Sequence, residues 1–201
     1  MISGVAEVVD GDGLTIGPVA IRLNGIDAPE LGQRCKTIGG GTWACDEAAA
    51  ERLDQLLAGQ TVQCEPLDRD PYGRIIARCL ASGVDVAHVL AAEGLVWAFV
   101  RYSSEYVPEE EIARGKGLGV WQAETQPPWE YRANKWERAA ATSPRPGCPI
   151  KGNINQEGER IYHTPWSPWY SRTKINEAAG ERWFCDEAEA IKDGWRPARF
   201  R

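Results

Sequence analysis

No apolar run in this 201-residue chain approaches the roughly 20 residues needed to cross a bilayer, which excludes a membrane-spanning helix within it. No two cysteines have the C-x-x-C spacing of a zinc ribbon. Basic residues are not in excess either. Positions 1–143 carry 13 Lys+Arg against 21 Asp+Glu, positions 144–201 carry 10 against 8, and the whole chain has a formal charge of −6. A nucleic-acid binder that works by gathering phosphate over a broad basic surface is therefore not the expectation. No secretory leader is read at the start, because the polar, acidic stretch Glu7 to Asp12 interrupts the short apolar opening. A processed, exported chain would begin in the same way.

What is present is ordinary in bulk: 43% hydrophobic and 26% charged residues, enough for one medium domain and one small one. Six cysteines fall into three local couples, Cys35 with Cys45, Cys64 with Cys79, and Cys148 with Cys185. An even count without metal spacing points to disulfides and an oxidising compartment. Cys64 and Cys79 flank the polar turn Asp68 to Gly73, so a hairpin folded there sets them opposite each other. Cys35 and Cys45 bracket a glycine-rich loop. Cys148 and Cys185 remain for each other in a segment too small to build a large core. The compartment is read as periplasmic or extracellular.

Residues 4 to 25 read as closely spaced short strands, and two more run over Val62 to Cys64 and Arg74 to Leu80. Helices are predicted from Glu47 to Leu57, opened by Asp46, from Asp85 through Ala92, and over Glu109 to Lys116. The acidic run Glu109 to Glu111 reads as a solvated helix start. Thr142 to Gly147 has linker composition. Residues 1–141 are therefore expected to form the main domain and residues 148–201 a small accessory one. The string Trp43-Ala-Cys-Asp-Glu-Ala echoes Trp183-Phe-Cys-Asp-Glu-Ala, and both read as a cysteine in extended chain followed by an aspartate helix cap.

Three segments carry chemistry: Val9-Asp10-Gly11-Asp12-Gly13, Ile21-Arg-Leu-Asn-Gly-Ile-Asp-Ala-Pro-Glu30, and Asp70-Pro-Tyr-Gly-Arg74. Each taken singly is a good turn or strand. Together they hold what phosphodiester hydrolysis needs. Asp12 and Asp27 are hard oxygen ligands suited to calcium. Glu30 follows Asp27 across Ala28-Pro29, a stiff turn that can aim both carboxylates at one site. Arg22 and Arg74 can each make forked, charge-assisted bonds to phosphate oxygens.

These segments, with Gly83-Val-Asp-Val-Ala-His-Val-Leu-Ala-Ala-Glu-Gly-Leu-Val-Trp97 and Ala113-Arg-Gly-Lys-Gly-Leu-Gly-Val-Trp121, resemble the staphylococcal nuclease (thermonuclease) family over about residues 4 to 121. The resemblance implies an α+β fold: a five-stranded OB-type barrel with about three helices, here followed by a small α/β domain. It implies calcium-dependent hydrolysis of DNA and RNA with one Ca2+, held by Asp12, Asp27 and the backbone carbonyl of Ala28. Glu30 falls on the general-base position, Arg22 and Arg74 on the phosphate-binding arginines, and Tyr72 and Tyr102 on tyrosines that flank the nucleotide. Gly13 departs from the usual Thr or Ser, Ala28 from a frequent Thr, Val100 from an aromatic and Pro71 from a basic residue, which implies weaker nucleotide binding with every catalytic group retained. The competing reading is a catalytically inactive OB-fold module that binds nucleic acid or protein. The intact set of Asp12, Asp27, Glu30, Arg22 and Arg74 favours the enzyme, acting as a monomer on DNA and RNA.

The C-terminal stretches Gly158-Glu-Arg-Ile-Tyr-His-Thr-Pro-Trp-Ser-Pro-Trp-Tyr170 and Glu181-Arg-Trp-Phe-Cys-Asp-Glu-Ala-Glu-Ala-Ile-Lys-Asp-Gly-Trp195 resemble the small metal-binding domain of Ada-type DNA-repair proteins. That domain carries zinc on cysteines, where this sequence reads Ser167, Ala198 and Arg201, so no zinc is expected here. His163 reads as a packed residue, and the basic tail Arg196 to Arg201 as a solvated end or a nucleic-acid contact. The residues name no ligand for this segment.

Overall fold

The structure is a computed structural model that describes residues 1–198. The tail positions Arg199, Phe200 and Arg201 lie outside the described residues. The chain divides into two compact units, Met1–Pro128 and Trp129–Arg201.

The first unit is built on strands β1 (Ile2–Gly4), β2 (Ala6–Val8), β3 (Gly13–Ile16) and β4 (Val19–Leu23). After β5 (Ile26–Asp27), the short hairpin β6 (Cys35–Lys36) and β7 (Thr42–Trp43) leads into helix α1 (Cys45–Leu57). Strands β8 (Val62–Arg69) and β9 (Ile75–Ala81) follow, then β10 (Val84–Asp85), helix α2 (Val86–Ala92), β11 (Trp97–Ala98) and helix α3 (Val107–Gly115). Hydrogen-bonded neighbours run β1-β8-β9-β4-β3-β2. Only Val5 separates β1 from β2, so the two ends of this path are one interrupted strand and the sheet closes on itself. The result is a five-stranded barrel with three helices, the α+β architecture that the motifs imply.

Alternation along the strands fills the barrel with Leu14, Ile16, Ile21, Leu23, Val62 and Ala77. Leu53 and Leu57 of α1 and Leu90 of α2 close it from outside. Parallel pairing of β4 with β9 sets Ile21 beside Ile75 and Arg22 beside Ile76. Because strand side chains alternate, Arg74, two residues before Ile76, emerges on the same face as Arg22.

The β8–β9 hairpin pairs Cys64 with Cys79, and the two are bridged with 4.1 Å between their Cα atoms. Cys35–Cys45 and Cys148–Cys185 form the other two bridges, the same couples that the spacing selects. Asp85 caps α2 by accepting from the backbone N–H groups of Ala87 and His88. Asp46, read as the cap of α1, is not one. Cys45 is already helical, Ala44 holds the cap position without a side-chain bond, and Asp46 lies in the first turn. Helix α3 starts two residues before its expected position, with Pro108 in its first turn. Its acidic start is also less solvated than read. Glu110 accepts from the backbone N–H of Ala98 at 2.6 Å and pairs with Arg114, while Glu109 faces His88 at 3.1 Å.

The second unit begins with helix α4 (Pro128–Thr142), which the sequence reading passes over. Strands β12 (Ile150–Ile154), β13 (Arg160–His163), β14 (Arg182–Phe184) and β15 (Arg196–Pro197) form one sheet in the order β14-β12-β13-β15, with helix α5 (Glu187–Lys192) between β14 and β15. Its core is Ile150, Tyr162, Phe184, Ala190 and Trp195, with Trp136 of α4 packed against it. Asp186 caps α5 by accepting from the backbone N–H of Glu189. Of the two Cys-Asp-Glu-Ala strings, only the second behaves as read. No helix among the described residues is long and apolar enough to cross a membrane.

Candidate active site

The turn between β2 and β3 is drawn tight by the backbone N–H of Val9, which donates to the Gly13 carbonyl at 2.9 Å. Gly11 must be glycine for packing reasons: a Cβ there would lie 2.7 Å from the Ala28 Cβ and 2.8 Å from the Ala49 Cβ. A Cβ at Gly13 would meet the Asp10 carboxylate at 2.7 Å, so in this chain Asp10 fills the space that a side chain at position 13 would need. The turn thereby lowers Asp12 onto the start of the Ala28 segment, where it is 4% exposed.

Arg22 organises the cluster. Its Nη1 donates to Asp12 Oδ1 at 2.6 Å and its Nη2 to Asp27 Oδ1 at 2.8 Å. The other oxygen of Asp12 accepts from the backbone N–H of Ala28 at 2.8 Å. Asp27 is fully buried on β5, which is held by pairing with β11. Asp12, Asp27, Ala28 and Arg22 are thus brought into direct contact. Burial works against the guanidinium's charge, but Asp12 and then Asp27 outweigh it and hold Arg22 more firmly protonated than a free arginine.

Asp10, read with Asp12, Asp27 and Glu30 as part of the acidic charge gathered for a divalent cation, joins this group. Half-buried, it is pushed up to about 6, first by desolvation and then by the neighbouring charge of Asp12, with Arg22 and Arg74 pulling the other way. Two carboxylates bonded to one guanidinium, with a third close by, put an excess of negative charge in a poorly solvated place. The donors are all hard oxygens. No three His, Cys, Asp or Glu side chains among the described residues already converge on one point as a metal cage. Hard oxygens of this kind suit calcium rather than a soft metal, with backbone oxygen and water needed to complete any such site.

Arg74 is anchored separately. Asp70 folds its turn by accepting from the backbone N–H groups of Tyr72 and Arg74 through Oδ1, while its Oδ2 accepts from Arg74 Nε at 2.6 Å. The Arg74 guanidinium lies 5.6 Å from the centre of the exposed Tyr72 ring. Asp70 was legible as a turn residue, whereas its grip on Arg74 was not. Glu30 sits in the turn after Ala28 and Pro29, where its carbonyl accepts from the backbone N–H of Gln33 at 2.7 Å. Tyr102 stands apart. It is 65% exposed, and its ring contacts are with Phe99 and Arg101 rather than with the carboxylate cluster.

In the second unit, His163 is buried, with Nε2 2.9 Å from Asn153 Oδ1 and Nδ1 3.4 Å from Ser167 Oγ. Nearby Lys151 donates to the carbonyls of Tyr170 and Thr173, each at 2.8 Å, and lies 4.2 Å from the Tyr170 ring centre. Ser167 and Ala198, two of the positions where the Ada-type domain has cysteines, are engaged with His163 and with the Tyr162 carbonyl.

Comparison with known proteins agrees with this arrangement. Residues 20–123 match the profile described as "Staphylococcal nuclease homologue". The chain is 32% identical over 150 residues to the succinoglycan biosynthesis protein ExoI of Rhizobium meliloti (strain 1021), covering 73% of this chain and 75% of that protein. An uncharacterized endonuclease of Escherichia coli is 33% identical over 139 residues, covering 65% and 84%. The micrococcal nuclease of Shigella flexneri is 29% identical over 154 residues, covering 68% and 80%. Barrel, motifs and relatives agree that the chain belongs to the staphylococcal nuclease family.

Proposed function

We propose that this nuclease-family chain is a calcium-dependent phosphodiesterase that cleaves both DNA and RNA. The observation that carries the reading is the Arg22 bridge between two buried carboxylates, Asp12 and Asp27, beside the half-buried Asp10. Burying this much negative charge is costly unless a cation compensates it. Asp12, Asp27 and the Ala28 carbonyl would hold one Ca2+. The cation, when bound, supplies positive charge to the phosphate oxygens.

The chain's own groups do the remaining work. Arg22 and Arg74 share a face of the barrel and offer planar forks to the non-bridging phosphate oxygens, where charge grows in the transition state. Arg22 arrives preoriented by its two aspartates, and Arg74 by Asp70. Glu30 orients the attacking water and accepts its proton. Tyr72, beside Arg74, and the exposed Tyr102 offer ring faces to the nucleotide. Three disulfides fit a protein exported to the periplasm or beyond. Residues 1–128 carry the catalytic function, and the second unit is an accessory domain that works without zinc.

Digestion of plasmid DNA and of RNA with calcium, with magnesium and with EDTA tests the reading. Cleavage of both substrates is expected with calcium and none with EDTA. Equal cleavage in EDTA would remove the metal from the mechanism.

A further inference from the structure

The turn that carries Glu30 is held by a side chain with no place in the motifs. Gln33 is 2% exposed. Its Oε1 accepts from the backbone N–H of Glu30 at 3.0 Å, and its Nε2 donates to the carbonyl of Gln126 at 2.8 Å. The orientation of this amide is forced, because a backbone N–H can only donate and a carbonyl can only accept. The backbone of the same residue closes the turn, donating from Gln33 N to the Glu30 carbonyl at 2.7 Å.

Gln33 therefore grips both the N–H and the C=O of Glu30. The first lies in the peptide plane before the Glu30 Cα and the second in the plane after it. Fixing both planes fixes φ and ψ of residue 30 and so the direction of its Cα–Cβ bond. The backbone thus sets the point and direction from which the carboxylate starts. The turn is tied down at two further points. Asp46, in the first turn of α1, accepts from the backbone N–H of Gly32 at 2.7 Å, and the Cys35–Cys45 bridge fastens the following residues to the start of the same helix.

We propose that Gln33 is a positioning residue for Glu30: it aims the carboxylate at the attacking water and anchors that aim to the backbone at Gln126. The inference rests on the reading of Glu30 as the base. It adds a residue 93 positions from its anchor that reaches the chemistry through Glu30. A displacement of about 1 Å in a catalytic group costs on the order of 10²-fold in rate.

The test is a double-mutant cycle on the full chain, assayed with calcium and single-stranded DNA. Gln33→Met has nearly the same shape but can neither accept from Glu30 nor donate to Gln126. It is expected to lower kcat by about 10- to 100-fold with KM little changed. The Glu30 amide proton should exchange faster in Gln33→Met than in the wild type. In a Glu30→Gln background the same substitution should cost nothing further, because the group it aims is already gone. If Gln33→Met fails to fold, as judged by near-ultraviolet dichroism and an intact Cys35–Cys45 bridge, Gln33→Glu tests the anchor instead. It keeps the acceptor for the Glu30 N–H, loses the donor to the Gln126 carbonyl, and is expected to lower kcat in the wild type and not in the Glu30→Gln background. Wild-type rate in Glu30→Gln would overturn the base assignment and the positioning role with it. A slow Glu30→Gln combined with a wild-type Gln33→Met, or with losses that multiply in the double variant, would overturn the positioning role alone.

Discussion

Arg22 and Arg74 both face phosphate in the proposed mechanism, yet they are held by different means. Arg22 spans Asp12 and Asp27 with both terminal nitrogens, whereas Arg74 is gripped through Nε by Asp70, which leaves its outer fork toward solvent. Arg74→Lys should lower kcat/KM by about 10²-fold, because a point charge cannot reproduce a preoriented fork, and should leave the melting temperature nearly unchanged. Arg22→Lys should lose activity and stability together, because one ammonium cannot satisfy two buried carboxylates. The expected destabilisation is about 3–5 kcal/mol, read from urea unfolding. Wild-type turnover in both variants would make the arginines structural. His163 offers a different measurement. Burial, and then the charge of Lys151, lowers its pKa in the folded state. The unfolded chain therefore binds the proton more readily below a pH of about 6.5. The contribution of neutral His163 to stability is full above that pH and declines as pH falls below it. His163→Gln should flatten this part of the stability–pH curve, as followed by urea unfolding of the second unit. An unchanged slope would mean that another group is responsible.

Elements explain which features could be read in advance. The β8–β9 hairpin was legible because its two cysteines are equidistant from a polar turn. The pairs beside the turn, Arg69 with Ile75 and Asp68 with Ile76, are however offset by one residue, and a bulge between Pro66 and Asp68 brings Cys64 opposite Cys79. Asp85 was legible as a cap because its partners are two and three residues away. Asp46 was misread because its partner, the N–H of Gly32, lies across a disulfide-closed loop, and no local pattern reports it. Gln33 was invisible for the same reason. The motif carboxylates and arginines were legible as a set, whereas the Arg22 bridge and the Asp70 clamp needed coordinates. Helix α4 escaped because it lacks a broad apolar stripe. Glu130, Arg132, Lys135, Glu137 and Arg138 crowd it with charge, and Trp136 does the packing. Within the second sheet, Gly152 on β12 is a packing requirement rather than a turn. A Cβ there would stand 2.6 Å from the Phe184 ring and 2.9 Å from that of Trp195. Gly152→Ala should destabilise the second unit by about 1–3 kcal/mol through overpacking. Chemical unfolding followed by tryptophan fluorescence would show it, and a change below about 0.5 kcal/mol would mean that the rings yield freely.

For the whole molecule, the three disulfides do unequal work. Cys64–Cys79 joins residues already paired across a hairpin, inside a barrel closed by strand pairing and filled by a continuous core. Cys35–Cys45 closes a separation of only 10 residues. Cys148–Cys185 closes 37 residues, in a unit whose buried core is Ile150, Tyr162, Phe184, Ala190 and Trp195. In the chain-entropy picture the 37-residue closure is worth about 4 kcal/mol and the 15-residue one about 3 kcal/mol. The larger contribution thus falls on the unit with the smaller core, where a few kcal/mol is a large share of total stability. Replacing Cys148 and Cys185 together with serine should therefore unfold the second unit near room temperature while the barrel keeps its transition. The paired Cys64→Ser and Cys79→Ser variant should lower the barrel's transition and leave it folded. Calorimetry of the three proteins, with hydrogen exchange to assign each transition to its unit, separates these outcomes. If the Cys148/Cys185 variant melts like the wild type, then α4 and the aromatic core hold the second unit without help. Its bridge would then be a consequence of export to an oxidising compartment rather than a condition for folding there.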